Sequence, residues 1–251
     1  MLDRVDNHQN PKVIHLMLTR ACNLSCIYCH PDRNACGELS ASEWKQLIDR
    51  LTETYGRLTL LVKGGEPMLR KDLMEILRHI KSKGHKIFLI TNGTLILNEK
   101  TARRLETCVD HVEICLDGIS PETTDPVKGE GVFERAMTGI KFLHQTRVKL
   151  GLSFVIQKEN KSILWEPLED FMKEHLSDTT PVRIDNRLNS PVNFDRGAED
   201  LFDFLRAGDK LACHGRLGKT NSGEAFEIDA DGCFHPYAAA DQDHRHEVKT
   251  L

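Results

Sequence analysis

Apolar segments alternate with amphipathic segments along most of the chain between residues 13 and 185. Apolar runs of about four to eight residues predict buried strands, and longer segments with apolar positions three or four apart predict helices. The predicted strands cover residues 13–18, 58–62, 86–90, 111–116, 149–156 and 181–184. The predicted helices between them cover residues 40–55, 70–83, 98–106, 131–145 and 162–175.

Local signals support these boundaries and suggest the fold class. Ser40 stands before the first helix with Glu43 three residues later, which is the capping-box spacing. Gly84 follows the second helix, where glycine commonly ends a helix. Six strand–helix repeats predict a parallel sheet with right-handed crossovers. The predicted fold is therefore α/β: a partial (β/α)6 barrel with a parallel sheet, followed by a small C-terminal extension.

Polar or glycine-rich loops follow the carboxyl ends of the first four predicted strands. They contain a cysteine-rich segment at 22–29, Gly-Gly-Glu at 64–66, Thr-Asn-Gly at 91–93 and Asp-Gly at 117–118. In parallel α/β sheets, ligands bind at the face formed by the carboxyl ends of the strands. We therefore expect the four loops to converge on one site.

The most informative motif is the spacing C-x3-C-x2-C at Cys22, Cys26 and Cys29. Structural metal sites normally close four ligand positions, whereas catalytic sites keep one position open. Three thiolates on a four-iron cluster would leave one iron free to bind another ligand. A zinc knuckle completed by a distant ligand such as His30 is the alternative.

Composition narrows the class of protein. Hydrophobic residues make up 39% of the chain, the net charge is −4, and no apolar run approaches the ~20 residues that span a bilayer. Residues 1–6 carry charges of both signs and lack the apolar region of a secretory signal. The 8 cysteines, without such a signal, suit a reducing compartment. We expect a cytoplasmic protein with neither a membrane nor nucleic acid as its main partner.

These motifs together resemble those of the radical S-adenosylmethionine (SAM) superfamily. The resemblance is carried by the cysteine segment at 18–29, by Gly-Gly-Glu-Pro at 64–67 and by Thr-Asn-Gly at 91–93. Segments at 114–118 and 129–133 are similar to the subgroup with C-terminal SPASM or twitch modules. That subgroup includes peptide maturases and anaerobic sulfatase-maturating enzymes. The resemblance covers residues 13–185 well and the tail from residue 213 more faintly.

The resemblance implies a [4Fe–4S] cluster held by Cys22, Cys26 and Cys29, with SAM bound at the open iron. One-electron reduction would then cleave SAM and generate a 5′-deoxyadenosyl radical that abstracts hydrogen from the substrate. A flavodoxin or ferredoxin is the implied electron donor. The residues implied to contact the cofactor are Tyr28, Gly64, Gly65, Glu66, Asn92 and Asp117.

Each implied contact has a chemical reason. The glycine pair at 64–65 lets the backbone approach the cofactor's methionine without a Cβ in the way. Glu66 would accept a hydrogen bond from the methionine ammonium or orient its own loop. Tyr28 lies where the family usually has an aromatic residue against the adenine. Asn92 and Asp117 stand at strand ends, within reach of the ribose, the carboxylate or the substrate.

Three residues depart from the family pattern or are unusual at their positions. Related enzymes commonly have serine at the position of Cys115 and arginine near Lys128. A thiol is a weaker hydrogen-bonding group than a hydroxyl, so we expect Cys115 to be a small buried strand residue. Lys63 directly precedes the glycine pair and would either neutralise a carboxylate or be a solvated surface lysine.

The tail carries weaker signals. Cys213 and Cys233 belong to a segment that resembles the opening of a SPASM or twitch module, and Asp-Gly at 231–232 is a hairpin signal. Two cysteines cannot hold a four-iron cluster alone. A degenerate, metal-free cap is therefore expected, with an auxiliary iron–sulfur cluster at Cys213 and Cys233 as the alternative. The predicted domains are the barrel at 1–188 and a linker with a truncated or degenerate extension at 189–251.

These observations predict a radical SAM enzyme of the oxidoreductase or maturase type. The tail favours a peptide or protein side chain as the substrate. The enzymatic alternatives are a dehydrogenase acting on a small carbohydrate-like molecule and an activating enzyme for a glycyl radical. A non-catalytic iron–sulfur or zinc module is the alternative from another class, but such a module has no need for the glycine pair at 64–65.

Overall fold

The computed structural model describes residues 13–29, 37–163, 166–176, 180–186, 225–228, 230 and 234–236. Six parallel strands in this part of the chain form the barrel. They are β1 (Val13–Met17), β2 (Thr59–Lys63), β3 (Lys86–Thr91), β4 (His111–Cys115), β5 (Lys149–Ile156) and β6 (Val182–Asn186). The strands neighbour one another in chain order, which is the arrangement that repeated right-handed βα units produce.

Helices connect these strands and cover one face of the sheet. They are α1 (Ala41–Tyr55), α2 (Leu73–Ser82), α3 (Glu99–Glu106), α4 (Pro121–Lys128), α5 (Val132–Leu143) and α6 (Glu166–His175). Short 3-10 turns at Pro67–Leu69 and Lys161–Ile163 precede α2 and α6. Among the helices of the described residues, none has the length and apolar character needed to cross a membrane.

The core lies between the sheet and the helices because side chains alternate along each strand. On β4, Val112 and Ile114 are fully buried against the helices, whereas Glu113 and Cys115 face the other side and are half-buried. The same alternation on β2 buries Leu60. The helix-facing side is thus an apolar core, and the opposite side forms the interior of the partial barrel.

Most of the predicted elements are present with shifts of a few residues at their ends. Ser40 is the N-cap of α1, and its hydroxyl and the Glu43 carboxylate make the reciprocal capping-box contacts. Gly84 has a φ of 80°, the left-handed conformation expected after a helix. The partial six-stranded barrel predicted from the apolar pattern is confirmed.

Helix α4 is the element that the pattern did not reveal. Its segment contains threonines, a valine and Pro126, all of which weaken helical propensity, so no apolar periodicity stands out. Ser120 at the N-cap and Pro121 at the first helical position are the available signals. Both are consistent with a helix that begins at residue 121.

Two further strands extend the sheet beyond β1. Strand β7 (Ala225–Ile228) pairs in parallel with β1, and β8 (Phe234–Pro236) pairs antiparallel with β7. These two strands lie on either side of the hairpin signal at 231–232, which itself lies outside the described residues. The sequence pattern gave no indication that this hairpin would join the barrel's own sheet.

Candidate functional site

The three motif cysteines lie on the loop that leaves β1. Cys22 and Cys26 are half-buried and Cys29 is exposed. The Cys22 sulfur accepts the backbone N–H of Leu24 at 3.4 Å, and the Cys29 N–H donates to the Cys26 carbonyl at 3.0 Å. Burial raises the pKa of the Cys22 and Cys26 thiols above the usual value. The loop thus presents three thiols near the carboxyl ends of the strands.

A single metal ion does not suit this arrangement. Within the described ranges, no group of three or more His, Cys, Asp or Glu side chains is placed to hold one ion. In a polynuclear cluster each thiolate binds a different iron, so the sulfurs need not converge on one point. The donor set of Cys22, Cys26 and Cys29 therefore fits an iron–sulfur cluster better than a zinc knuckle. His30, the alternative zinc ligand, lies outside the described residues.

The glycine pair packs directly against the start of the cysteine loop. The Gly65 N–H donates to the Thr19 carbonyl at 2.7 Å. A Cβ on Gly64 would lie 2.4 Å from the Thr19 carbonyl oxygen, and a Cβ on Gly65 would lie 2.3 Å from that of Ala21. Backbone atoms cannot move aside as a side chain can. The glycines are thus required for contact between two loops, whatever they do for a cofactor.

Glu66 fastens the loop after β2 to the loop after β3. Its carboxylate is fully buried and accepts hydrogen bonds from Met68 N–H (2.9 Å), the Thr91 hydroxyl (2.7 Å) and Asn92 N–H (2.7 Å). Burial is the main cause that raises the pKa of this carboxyl, and the hydrogen bonds oppose the shift. Of the two roles predicted for Glu66, orienting its own loop is the one that these contacts display.

Asn92 connects the loop after β3 to the cysteine loop. Its amide nitrogen donates to the Asn23 side-chain oxygen at 2.9 Å, and its own oxygen accepts the Thr94 N–H at 2.9 Å. Asn23 in turn donates to the Thr94 hydroxyl at 2.9 Å. This triangle of side chains holds Asn23, which lies between the first two motif cysteines.

Asp117 occupies the centre of a buried polar cluster after β4. Its Oδ2 accepts the Tyr28 hydroxyl at 2.5 Å and the Lys128 ammonium at 2.8 Å. Asp117 is fully buried and Lys128 is 3% exposed. Lys128 also donates to the Cys115 carbonyl at 2.7 Å. The Asp117 carboxylate thereby joins Tyr28 of the cysteine loop to Lys128 at the end of α4, and Lys128 bonds in turn to the last residue of β4.

Burial and charge in this cluster determine the protonation states of the Lys128 ammonium, the Tyr28 hydroxyl and the Cys115 thiol. Burial lowers the pKa of the Lys128 ammonium, but the charge and hydrogen bond of Asp117 together with the nearby thiols of Cys115 and Cys26 outweigh it, and the pKa is raised overall. Burial raises the pKa of Tyr28, and the adjacent Asp117 carboxylate adds to the increase. The tyrosine therefore remains a neutral donor to the carboxylate. Burial also raises the pKa of the Cys115 thiol to about 11.

The backbone of Asp117 is in the left-handed region, with a φ of 59°, which few residues other than glycine adopt. Two hydrogen bonds to Asp117 hold its backbone there, and a third holds Asn160 in place. Val155 N–H donates to the Asp117 Oδ1 at 2.7 Å, and the Asn160 amide donates to the Asp117 carbonyl at 2.5 Å and to the Val155 carbonyl at 2.9 Å. Asn160 is fully buried. The end of β5 thus determines where the Asp117 carboxylate points.

The base of the cysteine loop is held by charged side chains. The Thr19 hydroxyl and the Arg20 N–H donate to Glu38 Oε1 at 2.9 and 2.7 Å. Arg70 donates to the carbonyl oxygens of Leu18 at 2.8 Å and Leu39 at 3.0 Å. These bonds anchor the chain on both sides of the cysteines.

A cleft of about 1330 Å³ runs through the barrel interior, from Gly64 at the site to residues 103–110 and 143–149 at the amino ends of the strands. Lys63 lines this cleft at the end of β2 and is half-buried. Glu113 on β4 and Arg183 on β6 also line it, and the Arg183 guanidinium donates to Glu113 Oε1 at 2.6 Å. The sequence left two interpretations of Lys63, a solvated surface residue or the partner of a carboxylate. Its position in the cleft suits the second interpretation.

The structure thus brings together the predicted residues Tyr28, Glu66, Asn92 and Asp117 around the cysteine loop. Cys213 and Cys233 lie outside the described residues. Sequence reasoning missed Asn160 and the partnership of Lys128 with Asp117. A polar residue soon after a strand end is the signal that marks Asn160, but many surface loops carry the same signal.

Comparison with known proteins identifies the family. The model of the radical SAM superfamily matches residues 16–171. The chain therefore belongs to the radical SAM superfamily. This family uses a [4Fe–4S] cluster and S-adenosylmethionine as its cofactors.

Curated relatives match the barrel region. An Fe-coproporphyrin III synthase from Methanosarcina barkeri is 40% identical over 147 residues, which cover 57% of this chain and 36% of that protein. An AdoMet-dependent heme synthase from Oleidesulfovibrio alaskensis is 36% identical over 153 residues, which cover 59% of this chain and 39% of that protein. The chain thus spans well under half the length of these two curated relatives.

Solved structures share the fold. SuiB from Streptococcus suis, bound to its precursor peptide SuiA, has a TM-score of 0.70 and 18% identity. The match covers 90% of this chain and 59% of that chain. At this identity the likeness shows the fold alone. It includes the partial barrel that the apolar pattern predicted.

Proposed function

We propose that this protein is a radical SAM enzyme in which Cys22, Cys26 and Cys29 hold the [4Fe–4S] cluster. One observation carries the proposal: the loop with these cysteines is tied to the loops after β2, β3 and β4. Gly65, Asn92 and Asp117 make these contacts. Three thiols on a loop braced from three strands form a preorganised site with one ligand position left open.

When bound, the cluster and SAM supply a 5′-deoxyadenosyl radical for hydrogen abstraction. The protein's own residues bind and orient. The backbone at 64–66 packs against residues 19–21 at the start of the cysteine loop and would orient that loop toward the methionine group of SAM. The buried Lys128 supplies a fixed positive charge close to Tyr28 and the thiols. We expect a flavodoxin or ferredoxin to be the electron donor.

The substrate class that we favour is a tetrapyrrole that carries carboxylate side chains. The support is the 40% and 36% identity of the barrel region to relatives named for coproporphyrin and heme synthesis. Porphyrins of this kind bear propionate groups whose carbon–hydrogen bonds are unactivated. Radical chemistry is suited to such bonds.

The second candidate is a peptide or protein side chain, the substrate that the sequence led us to expect. Its support is the β7–β8 hairpin beside β1, in the segment that resembles a SPASM or twitch module. The likeness to SuiB agrees with this candidate at the level of the fold. It does not favour a peptide over a porphyrin, because fold and substrate are separate properties.

The activity is tested with anaerobically reconstituted protein and dithionite. We expect conversion of SAM to 5′-deoxyadenosine and methionine. Alanine at Cys22, Cys26 and Cys29 together should remove the visible absorption of the cluster and the cleavage. Cys108→Ala is the matched control, because Cys108 is a buried thiol at the end of α3. An iron-loaded protein that does not cleave SAM would contradict the proposal.

The substrate is tested in the same assay with Fe-coproporphyrin III in one arm and a candidate precursor peptide in the other. Loss of mass from the porphyrin side chain, matched by 5′-deoxyadenosine, would support the first candidate. Modification of the peptide alone would support the second.

A further inference from the structure

The cleft inside the barrel is positively charged, although the chain as a whole is not. Among the described residues that line it are seven lysines or arginines and three aspartates or glutamates. The whole chain has a net charge of −4. A concave surface with one sign of charge concentrates ligands of the opposite sign. Five of the seven cations lie at or near the amino ends of the strands, at the far end of the cleft from the cysteine loop: Lys81, Lys86, Arg103, Arg147 and Lys149. The cations that remain near the site are Lys63 and Arg183, and these two favour an anionic ligand there.

Two of these cations lie on the walls of the barrel interior rather than at its rim. Lys63 ends β2 next to Gly64, so its ammonium enters the cleft beside the cofactor loop. Arg183 lies on β6, on the opposite wall, at the level of Ser153 in the strand register. The two side chains thus face the space between the walls from strands β2 and β6.

The ion pair between Arg183 and Glu113 fixes the position of one cation. The guanidinium donates through Nε and Nη2 to the same oxygen, Glu113 Oε1, at 3.0 and 2.6 Å. Gly151 on β5 lies opposite Glu113 in the register and has no side chain. The His111 ring occupies the position of the missing side chain, with its Nε2 2.6 Å from where a Cβ on Gly151 would lie, and the ion pair reaches across β5 beside it. The exposed fractions of 27% and 17% place the pair at the cleft surface, in contact with whatever enters.

We propose that Lys63 and Arg183 bind carboxylate groups of the substrate, with Glu113 holding the guanidinium in place. The inference rests on the proposed function and specifies its substrate class: a small molecule with several carboxylates, of porphyrin size. A planar guanidinium suits a carboxylate, and a flexible ammonium on the opposite wall suits a second one. The cleft also exceeds the roughly 300–1,000 Å³ of sites for drug-sized ligands.

The test is the binding of metal-free coproporphyrin III to the reconstituted full chain, followed by porphyrin fluorescence without reductant. We expect Lys63→Met and Arg183→Met each to raise the Kd about tenfold, the loss of one charge-assisted contact. Arg183→Lys should keep part of the affinity. Lys100→Met removes one positive charge from the exposed surface of α3 and should change the Kd less than twofold.

Two further arms test the chemistry rather than the fold. Glu113→Gln removes a negative charge but keeps a hydrogen-bond acceptor for Arg183, so we expect binding at least as tight as that of the wild type. The tetramethyl ester of coproporphyrin III has no free carboxylates, and its binding should not respond to Lys63→Met. An ester that binds as tightly as the acid, or equal Kd values for Lys63→Met and Lys100→Met, would overturn the proposal.

These outcomes are separate from those of the activity assay, because binding is measured without SAM cleavage. A protein that binds coproporphyrin III through Lys63 and Arg183 but does not cleave SAM would contradict the proposed function and leave the anchoring residues supported. If an acidic peptide binds in a Lys63-dependent way while the porphyrin does not, the assignment to a small polycarboxylate is wrong. If Arg183→Met does not fold, Lys63→Met and Arg183→Lys still decide between these results.

Discussion

The hydroxyl of Tyr28 donates to Asp117 Oδ2 at 2.5 Å, across a sequence separation of 89 residues. Tyr28 lies between the second and third motif cysteines, and Asp117 follows β4. This bond, together with the Ile27 N–H bond to the Val127 carbonyl at 3.0 Å, joins the cysteine loop to the segment that contains α4. The positions of the Cys26 and Cys29 thiols therefore depend on residues 117–127, which are far from them in sequence.

Replacement of this hydroxyl tests the connection. Tyr28→Phe keeps the ring but leaves the buried Asp117 with one donor fewer, so we expect the free energy of unfolding to fall by about 1.5–3 kcal/mol. Urea unfolding of the cluster-free protein provides the measurement. Tyr55→Phe, at the end of α1, is the control. Equal stability of the two variants would show that the Tyr28–Asp117 bond contributes little.

The buried ion pair gives a sharper expectation. Lys128→Met leaves Asp117 buried without its cation, which we expect to cost about 3–5 kcal/mol of stability. Adding Asp117→Asn should restore a large part of that loss, because the uncompensated charge is then gone. A double-mutant cycle in urea measures the coupling between the two residues. Additive losses would contradict a direct charge interaction.

Close packing of the glycine loop predicts a severe effect of one methyl group. In Gly65→Ala the new Cβ would lie 2.3 Å from the Ala21 carbonyl oxygen and 2.6 Å from that of Arg20. We expect the two loops to separate and the bound iron to fall to a small fraction of the wild-type content after reconstitution. Gly56→Ala is the control: its φ of 70° costs about 1 kcal/mol, but its Cβ meets no atom within 4 Å. Wild-type iron content in Gly65→Ala would contradict the packing argument.

His85 predicts a pH dependence of stability. Its Nδ1 accepts the Leu58 N–H at 3.0 Å, so the folded protein needs the neutral ring, with Nε2 bonded to the Thr52 hydroxyl at 2.9 Å. Burial lowers the pKa of His85 below its usual 6.5, and nearby Lys83 adds to the decrease. Between the folded and unfolded pKa values the unfolded chain binds more protons, so stability is lost as the pH falls below about 6.5.

The measurement is the urea midpoint at pH 7.5 and pH 5.5. We expect the wild type to lose stability at the lower pH and His85→Gln to lose less. Some dependence should remain in the variant, because burial also lowers the pKa of His111. An identical change in both proteins would show that His85 is not responsible.

The strands and most helices were predictable because their signals are local. The apolar runs of β2 and β4 and the capping residues Ser40 and Glu43 act within a few residues of the elements that they define. Helix α4 was missed because its threonines and Pro126 carry no apolar periodicity. Packing decides its conformation: a Cβ on Gly118 would meet Thr124, which is fully buried.

The candidate site was predictable in its chemistry but not in its contacts. Spacing identified the three cysteines, and the resemblance to the radical SAM superfamily, with the loops at the strand ends, implied that the glycine pair, Glu66, Asn92 and Asp117 belong to the same site. Whether these residues touch a cofactor stays a prediction. Their partners within the protein, such as Asn160 for Asp117 and Asn23 for Asn92, lie in other loops and follow no spacing rule.

The sequence alone therefore determined the βα repeat, the family motif and the face of the sheet where the motif loops meet. Each of these depends on residue type and short-range spacing. The tertiary structure decided the rest: the buried Asp117–Lys128 pair, the contact of Gly65 with Ala21, and the charged cleft between Lys63 and Arg183. The physical reason is that long-range pairs form only when the strand register and helix packing bring distant residues together. No local pattern encodes those distances.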